Sequence, residues 1–78
     1  MSEPDIDAVK SAMGELDGGA ELHLETHGGK VCGHVISPAF EGAGNKERQK
    51  SIWDILDRHN LGEKVGVLFG WTRLEWEG

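Results

Sequence analysis

Two short stretches of the chain carry the side chains best suited to coordinating a metal or holding an anion. The first is "THGGKVCGH", which brings the imidazoles of His27 and His34 close in sequence to the thiol of Cys32. Imidazole and thiolate are both ligands for iron. One histidine and one cysteine leave a coordination shell incomplete, so Cys32 is expected to be a small buried apolar residue. His27 is then either a metal ligand or a polar residue that fills a turn.

The second stretch is "GNKERQKSIW", which holds three of the chain's eight basic residues, Lys46, Arg48 and Lys50. If a helix begins here, its first backbone N–H groups lack partners, and Arg48 beside them could hold an anionic group. Alternatively, the stem of Arg48 covers the edge of the core while its guanidinium pairs with Glu41 or with loop carbonyls. The three bases could also form a local patch for nucleic acid.

Catalysis is the least expected activity of this chain. The sequence contains no nucleophile paired with a base at a recognisable spacing, no phosphate-binding loop and no zinc signature. The 14 acidic residues outnumber the 8 basic ones, and the net charge of −6 repels nucleic acid and anionic lipid at long range. A non-enzymatic protein that binds another protein is therefore the first hypothesis, and nucleic-acid binding is the second.

Length and composition predict one small domain that spans residues 1–78. A chain of 78 residues buries only roughly 60–65% of the surface that its unfolded form exposes, which leaves no room for a second core. No apolar run approaches the roughly 20 residues of a membrane-spanning helix. The acidic start of the chain lacks the charge of a secretory signal, and the single Cys32 allows no internal disulfide, so we expect a cytoplasmic protein.

Hydrophobic periodicity predicts the elements that position these residues. They are a helix at 4–16 capped by Ser2, strands at 20–26 and 30–37, a helix at 45–59 capped by Asn45, and a strand that begins near residue 65 and continues into a short aromatic extension. Gly28 and Gly29 favour a tight hairpin between the first two strands, because paired glycines tolerate the positive φ angles of such turns.

Side-chain spacing within the last two elements predicts which way their residues point. On the helical wheel, Arg48 and Gln49 fall on the same arc as the apolar residues, so they are expected to point toward the sheet or the loop. In the last strand, Val65, Val67 and Phe69 alternate and are expected to share one face. The sequence therefore predicts an α+β domain of order α-β-β-α-β, with a three-stranded sheet and the helices packed on one face.

This order, combined with two local motifs, resembles the BolA-like family, whose compact α/β fold is related to the type II KH topology. The first motif is "SPAFEG" at residues 37–42, where a strand ends. After a gap of four residues comes "ERQK" at residues 47–50, followed by apolar positions, where the family has a helix start of the form E-R-H-R. The resemblance covers almost the whole chain without an insertion.

The resemblance implies a non-enzymatic adaptor or regulatory protein without an intrinsic cofactor. Members of the family bind monothiol glutaredoxins and share a [2Fe–2S] cluster with them, and some are implicated in stress-linked control of cell shape and transcription. By this resemblance, the residues of this chain expected at the partner surface are His27, Arg48, Gln49, Lys50 and Gly66.

The cluster ligands of the family are only partly matched. His27 occupies the place of the ligand in the loop between the first two strands, but Gly66, in "VGVL", stands where the family has a histidine in a pattern like "IHAL". Glycine has no side chain to coordinate iron. Either the partner is bound without a shared cluster, or His23, His34 or His59 supplies the second ligand.

Two further points bear on partners. Gln49 and Lys50 replace the histidine and the second arginine of the family's helix start, and lysine lacks the planar fork with which arginine grips carboxylates or phosphates. Recognition of such groups at that position should weaken. The chain is expected to be a monomer or a weak homodimer, the latter through an exposed strand edge.

Overall fold

A computed structural model describes residues 3–78 of the chain, with side chains from residue 5 onward. The elements are helix α1 (Glu3–Met13), strands β1 (Glu21–His27) and β2 (Lys30–Ile36), helix α2 (Asn45–Arg58), strand β3 (Val65–Trp71) and helix α3 (Arg73–Glu77), with short 3-10 turns at Pro38–Phe40 and Gly62–Lys64. The predicted cap Ser2 lies outside the described residues. None of the helices between residues 3 and 78 has the length and apolarity needed to span a bilayer.

The three strands form one mixed sheet in the order β1-β2-β3. Strand β2 pairs antiparallel with β1 and parallel with β3. Helices α1 and α2 pack against each other and on one face of the sheet. The core between them contains the buried side chains of Val9, Met13, Val31, Val35, Phe40, Ile52, Ile55, Leu56, Val65 and Leu68. The predicted α+β fold and its α-β-β-α-β order are thus confirmed, with α3 as an additional element at the end.

The hairpin between β1 and β2 has the predicted two-residue turn. Gly28 and Gly29 have φ angles of 58° and 81°. Positive φ at both central residues is the signature of a type I′ turn, whose twist matches that of the strands it joins. His27 lies opposite Lys30 as the pair that closes the hairpin.

A β-bulge at Gly66 overturns the expected orientation of β3. The register of β3 against β2 skips one residue here, so that Gly66 has no partner on β2. As a result Val65 and Leu68 are buried in the core, while Val67 and Phe69 lie on the opposite face with 41% and 46% of their surface exposed. The prediction that Val65 shares a face with Val67 and Phe69 was wrong, because alternation in a sequence does not reveal an unpaired residue.

The predicted helix ends were shifted by up to three residues. Helix α1 ends at Met13 rather than near residue 16, and the following residues form turns. Gly44 rather than Asn45 is the N-cap of α2, and its N–H donates to Oε1 of Glu47 at 3.0 Å. Asn60, with a φ of 58°, follows the end of α2 in the left-handed conformation that asparagine tolerates.

The last helix was not predicted. Thr72 caps α3 by accepting a hydrogen bond from the N–H of Glu75 at 3.2 Å, and Glu75 reciprocates by accepting from the N–H of Thr72 at 2.9 Å. This pairing is the capping box that a threonine followed three residues later by a glutamate indicates. The sequence of the predicted aromatic extension therefore contains a signal for the start of a helix, namely Thr72 followed by Glu75.

Candidate functional site

The "SPAFEG" segment joins three parts of the fold. The side chain of Ser37 is fully buried, and its hydroxyl donates to the carbonyl of Gly19 at 2.7 Å while accepting from the N–H of Ala39 at 3.1 Å. The backbone N–H of Ser37 donates to the carbonyl of Trp71 at 2.9 Å. One serine thus ties the end of β2 to the chain before β1 and to the end of β3.

Arg48 also connects separate parts of the fold, because most of its N–H groups donate hydrogen bonds to other residues of the domain. Its Nε donates to the carbonyl of Ala43 at 2.8 Å, and Nη1 donates to the carbonyl of Gly70 at 3.1 Å. Nη1 and Nη2 donate to the two carboxylate oxygens of Glu75 at 2.6 and 3.1 Å. Four of the five N–H donors of a guanidinium are therefore occupied. The guanidinium also lies 5.9 Å from the ring centre of Phe40.

The Arg48 to Glu75 contact joins α2 to α3 and changes the electrostatics of both groups. Hydrogen bonds from Arg48, and then from the backbone of Thr72, lower the pKa of the Glu75 carboxyl to about 2. The same contact raises the pKa of Arg48 above its ordinary value. With only 12% of its side chain exposed, Arg48 is positioned for holding the domain together. The alternative in which its guanidinium binds loop carbonyls describes this geometry, with Glu75 as the carboxylate in place of Glu41.

Gln49 covers the edge of the sheet beside Arg48. Its amide nitrogen donates to the carbonyl of Leu68 at 2.7 Å, and its amide oxygen accepts from the indole N–H of Trp53 at 3.2 Å. The helical wheel therefore pointed both Arg48 and Gln49 in the observed direction, toward β3. Together they satisfy carbonyls along the edge of β3 that faces away from β2, at Leu68 and Gly70.

The three bases at the start of α2 do not form one exposed patch. Lys46 and Lys50 are exposed, and they lie four residues apart on one side of the helix. Arg48 points away from them into its contact with Glu75. Of these three bases, only Lys46 and Lys50 are therefore available for a nucleic-acid surface at the start of this helix.

The face of β1, β2 and β3 opposite α1 and α2, hereafter the open sheet face, carries the donors singled out in the sequence. Glu25 lies directly opposite Cys32 in the hairpin, so Cys32 shares this face with His27, one step away along the diagonal. His27 is at the hairpin tip with 74% of its side chain exposed, and Cys32 is half-buried. The sequence left the relative orientation of His27 and Cys32 open, and the register fixes it.

Gly66 lies against Cys32 on the same face. A Cβ atom at Gly66 would come within 3.0 Å of Sγ of Cys32 and 3.6 Å of Cβ of Lys30. The position at which the BolA-like pattern has a histidine is therefore beside the thiol of Cys32. Any larger residue at position 66 would require Cys32 to move.

The remaining histidines are held elsewhere. His34 accepts the indole N–H of Trp71 at 3.0 Å, and His23 pairs with Glu21 at 2.8 Å on the same open sheet face. His59 pairs with Glu15 near the end of α2. None of the three belongs to the corner formed by His27 and Cys32, because His23 and His34 are opposite each other farther along the hairpin.

These donors do not build a complete metal site within the chain. Among the side chains that the structure describes, from residue 5 onward, no group of three or more histidine, cysteine or acidic residues is arranged to hold a metal ion. The corner at the hairpin offers one imidazole, His27, and one thiol, Cys32. This donor set fits a [2Fe–2S] cluster whose other ligands come from a partner, because thiolate and imidazole both ligate such clusters.

A cluster of aromatic rings at the other end of the open sheet face was missed by the sequence analysis. Trp76 of α3 stacks on His23 with ring centres 5.0 Å apart and lies 5.1 Å from His34, which itself stacks on Phe69 at 5.5 Å. The capping box that starts at Thr72 turns α3 back over the open sheet face, where Trp76 meets His23.

The chain was compared with known proteins at the level of families, sequences and structures. No family model, curated protein or solved structure was found to match it. The resemblance to the BolA-like family therefore depends on the two motifs at residues 37–42 and 47–50 and on the order of the elements.

Proposed function

We propose that this chain is a non-enzymatic, BolA-like adaptor that binds a monothiol glutaredoxin-type protein in iron–sulfur or redox-stress handling. The binding surface is the part of the open sheet face formed by the hairpin tip and β3. The observation that carries the proposal is the exposure of Val67 and Phe69 on this face, where Val67 lies opposite Cys32 and Phe69 lies opposite His34.

The distribution of apolar surface supports this location. Helices α1 and α2 cover one face of the sheet, whereas the opposite face keeps two large apolar side chains of β3, Val67 and Phe69, in contact with water. Contiguous exposed apolar groups with a polar rim are typical of protein-binding sites. Here the rim is formed by His27, Glu25 and Lys30 at the hairpin tip, all of them exposed.

Arg48 and Gln49 have a supporting role in this proposal. Both bind backbone carbonyls of β3, so they fix the strand that presents Val67 and Phe69. The proposal thus moves the contact surface from the start of α2 to the strand that α2 holds. Lys50 remains exposed on α2, on the other side of the helix from Arg48.

A shared [2Fe–2S] cluster is a separate element of the proposal, in addition to the binding of the partner. When bound between the two proteins, a [2Fe–2S] cluster would supply electron-transfer or iron-donor chemistry, and His27 and Cys32 are the residues of this chain that would hold it. Cys32 would then take the place of the histidine that Gly66 replaces. Adaptor binding through Val67 and Phe69 does not require the cluster.

Co-expression with a monothiol glutaredoxin, followed by co-purification and a visible absorption spectrum, tests the proposal. Phe69→Glu should abolish the complex, whereas Leu74→Glu, at an 83%-exposed position of α3, should leave it intact. His27→Ala and Cys32→Ser should remove any cluster absorption while the complex persists. If the wild-type chain forms no complex, with or without a cluster, the proposal is wrong.

A further inference from the structure

The two edges of the sheet are treated differently by the rest of the fold. On β3, the side chains of Arg48 and Gln49 occupy the edge carbonyls of Gly70 and Leu68. On β1, no described loop, and no side chain from residue 5 onward, hydrogen-bonds to the backbone of the edge that faces away from β2. An open strand edge is a ready template for another strand. Strand β1 is therefore the edge available for pairing.

The hairpin determines which backbone groups of β1 point outward. In a two-residue type I′ turn, the closing pair, here His27 and Lys30, exchanges both of its backbone hydrogen bonds. Hydrogen-bonded pairs alternate along an antiparallel ladder, so the odd-numbered residues of β1 face β2. The N–H and C=O groups of Leu22, Leu24 and Thr26 consequently point away from the sheet.

The side chains of β1 follow a pattern that is complementary to itself. Glu21, His23, Glu25 and His27 alternate acid and imidazole along the open sheet face, while Leu22, Leu24 and Thr26 on the other face are only half-buried. In an antiparallel pair of β1 strands centred on Leu24, Glu21 lies opposite His27 of the second copy and His23 lies opposite Glu25. Cross-strand pairs of this kind stabilise a sheet.

Only this register joins the outward backbone groups and matches all four polar pairs. In the register centred on Leu24, the residue numbers of each pair add up to 48. If the second strand is shifted so that they add up to 46 or 50, glutamate lies opposite glutamate and histidine lies opposite histidine. A shift to 44 or 52 keeps glutamate opposite histidine but halves the number of such pairs. The register centred on Leu24 aligns Leu22 with Thr26 of the second copy, and it brings the half-buried leucines of both copies together.

We infer that the chain forms a symmetric dimer in which β1 pairs antiparallel with β1 of a second copy, centred on Leu24. The resulting sheet has six strands in the order β3-β2-β1-β1-β2-β3, with α1 and α2 of both copies on the same face. The interface is isologous, as closed two-fold dimers require. Val67 and Phe69 on β3 lie at the two far ends of this sheet, outside the β1 pair, whereas Glu25 and His27 of the proposed partner site take part in the β1 pair.

Sedimentation velocity over a range of concentrations, combined with amide hydrogen exchange followed by NMR, tests the dimer. The mass should double with concentration, and the amides of Leu22, Leu24 and Thr26 should become protected in parallel. His27→Glu places glutamate opposite Glu21 twice by symmetry and should weaken dimerisation roughly tenfold. Lys50→Gln makes the same change in net charge on α2 and should have no effect.

Disulfide trapping tests the register itself, in a Cys32→Ser background. Leu24→Cys lies opposite its own copy at about 5.5 Å between Cα atoms, which is within disulfide range. Thr26→Cys would be separated from its copy by about four residues of strand, on the order of 13 Å along the strand, and should not cross-link. A chain that is monomeric at every concentration overturns the inference. So does a dimer that is insensitive to His27→Glu and leaves the amide of Leu24 unprotected.

Discussion

Replacing Arg48 with methionine distinguishes a structural arginine from an anion-binding one. The change keeps an unbranched stem over Phe40 but removes every hydrogen bond to Ala43, Gly70 and Glu75. Ala43 lies in the loop before α2, Gly70 lies at the edge of β3, and Glu75 lies in α3. The variant therefore removes the contacts that hold these three parts of the fold to α2. We expect a large loss of stability, and no specific loss of binding to phosphate or carboxylate ligands.

The magnitude follows from the contacts. Hydrogen bonds from a charged donor are worth about 1.5–3 kcal/mol each, and the lower figure for the two carbonyl bonds gives about 3 kcal/mol. The pair with the half-exposed Glu75 adds little to this, because solvent screens an exposed ion pair. A domain of this length has a free energy of unfolding of roughly 4–12 kcal/mol, so the loss is a large fraction of the total. The midpoint of thermal unfolding should fall by roughly 12 °C or more.

Urea and thermal unfolding, followed by circular dichroism, measure this effect. Lys50→Met, on the exposed side of the same helix, is the matched control and should unfold like the wild type. Arg48→Lys keeps the charge without the planar fork, so it should fall between the two. If Arg48→Met unfolds within about 0.5 kcal/mol of the wild type, the usual range of a neutral surface change, the structural role is refuted.

Three further predictions concern stability. The pKa of Glu75 is lowered from 4.5 to about 2. Its ionised form therefore stabilises the fold above about pH 4.5, and this contribution is lost as the pH falls to about 2. Glu75→Gln should remove that part of the pH dependence of the free energy of unfolding. Ser37→Ala leaves the carbonyl of Gly19 without its hydroxyl donor and should cost about 1–3 kcal/mol of unfolding free energy in urea denaturation. Gly33→Ala should cost at least about 2 kcal/mol by the same measurement, since its φ is 152° and a Cβ there would overlap the carbonyl oxygen of His23.

Each of these has a matched control on the surface. Glu41→Gln, at an exposed position, should keep the wild-type slope of stability against pH between pH 5 and pH 2 if Glu75 is responsible for that slope. Ser51→Ala, at an exposed position of α2, should change the free energy of unfolding by less than about 0.5 kcal/mol. Gly29→Ala, where no atom lies near an added Cβ, should be less destabilising than Gly33→Ala. Equal effects at the two glycines would refute the steric argument.

The elements of the core could be predicted from the sequence because their signals are local. The alternation of β1, the glycine pair of the hairpin and the apolar arc of α2 each depend on neighbouring residues, and all were found in the structure. The inward direction of Arg48 and Gln49 also followed from the helical period alone. The hydrogen-bond partners of Arg48 and Gln49 could not be predicted in this way, because the carbonyl or carboxylate that each side chain meets depends on how distant elements pack.

The orientation of β3 and the position of α3 were beyond that kind of reasoning for different reasons. The bulge at Gly66 is defined by pairing with β2, and a glycine within a strand pattern only indicates that a bulge is one option. The capping box at Thr72 is a local signal in the sequence, but it gives the start of α3 and not the direction in which α3 packs. Its consequence, the stacking of Trp76 on His23, depends on α3 folding back over the sheet.

The bulge at Gly66 also affects the chemistry of the only thiol. Without Gly66, Val65 and Val67 would follow each other and the strand would still alternate correctly, so the extra residue adds nothing to the burial of the core. What it does provide is clearance in front of the sulfur of Cys32, since any β-carbon at Gly66 would press on that atom. Gly66→Val should therefore slow alkylation of Cys32 by iodoacetamide in the folded protein, and an unchanged rate would show that the sulfur is reached from another side.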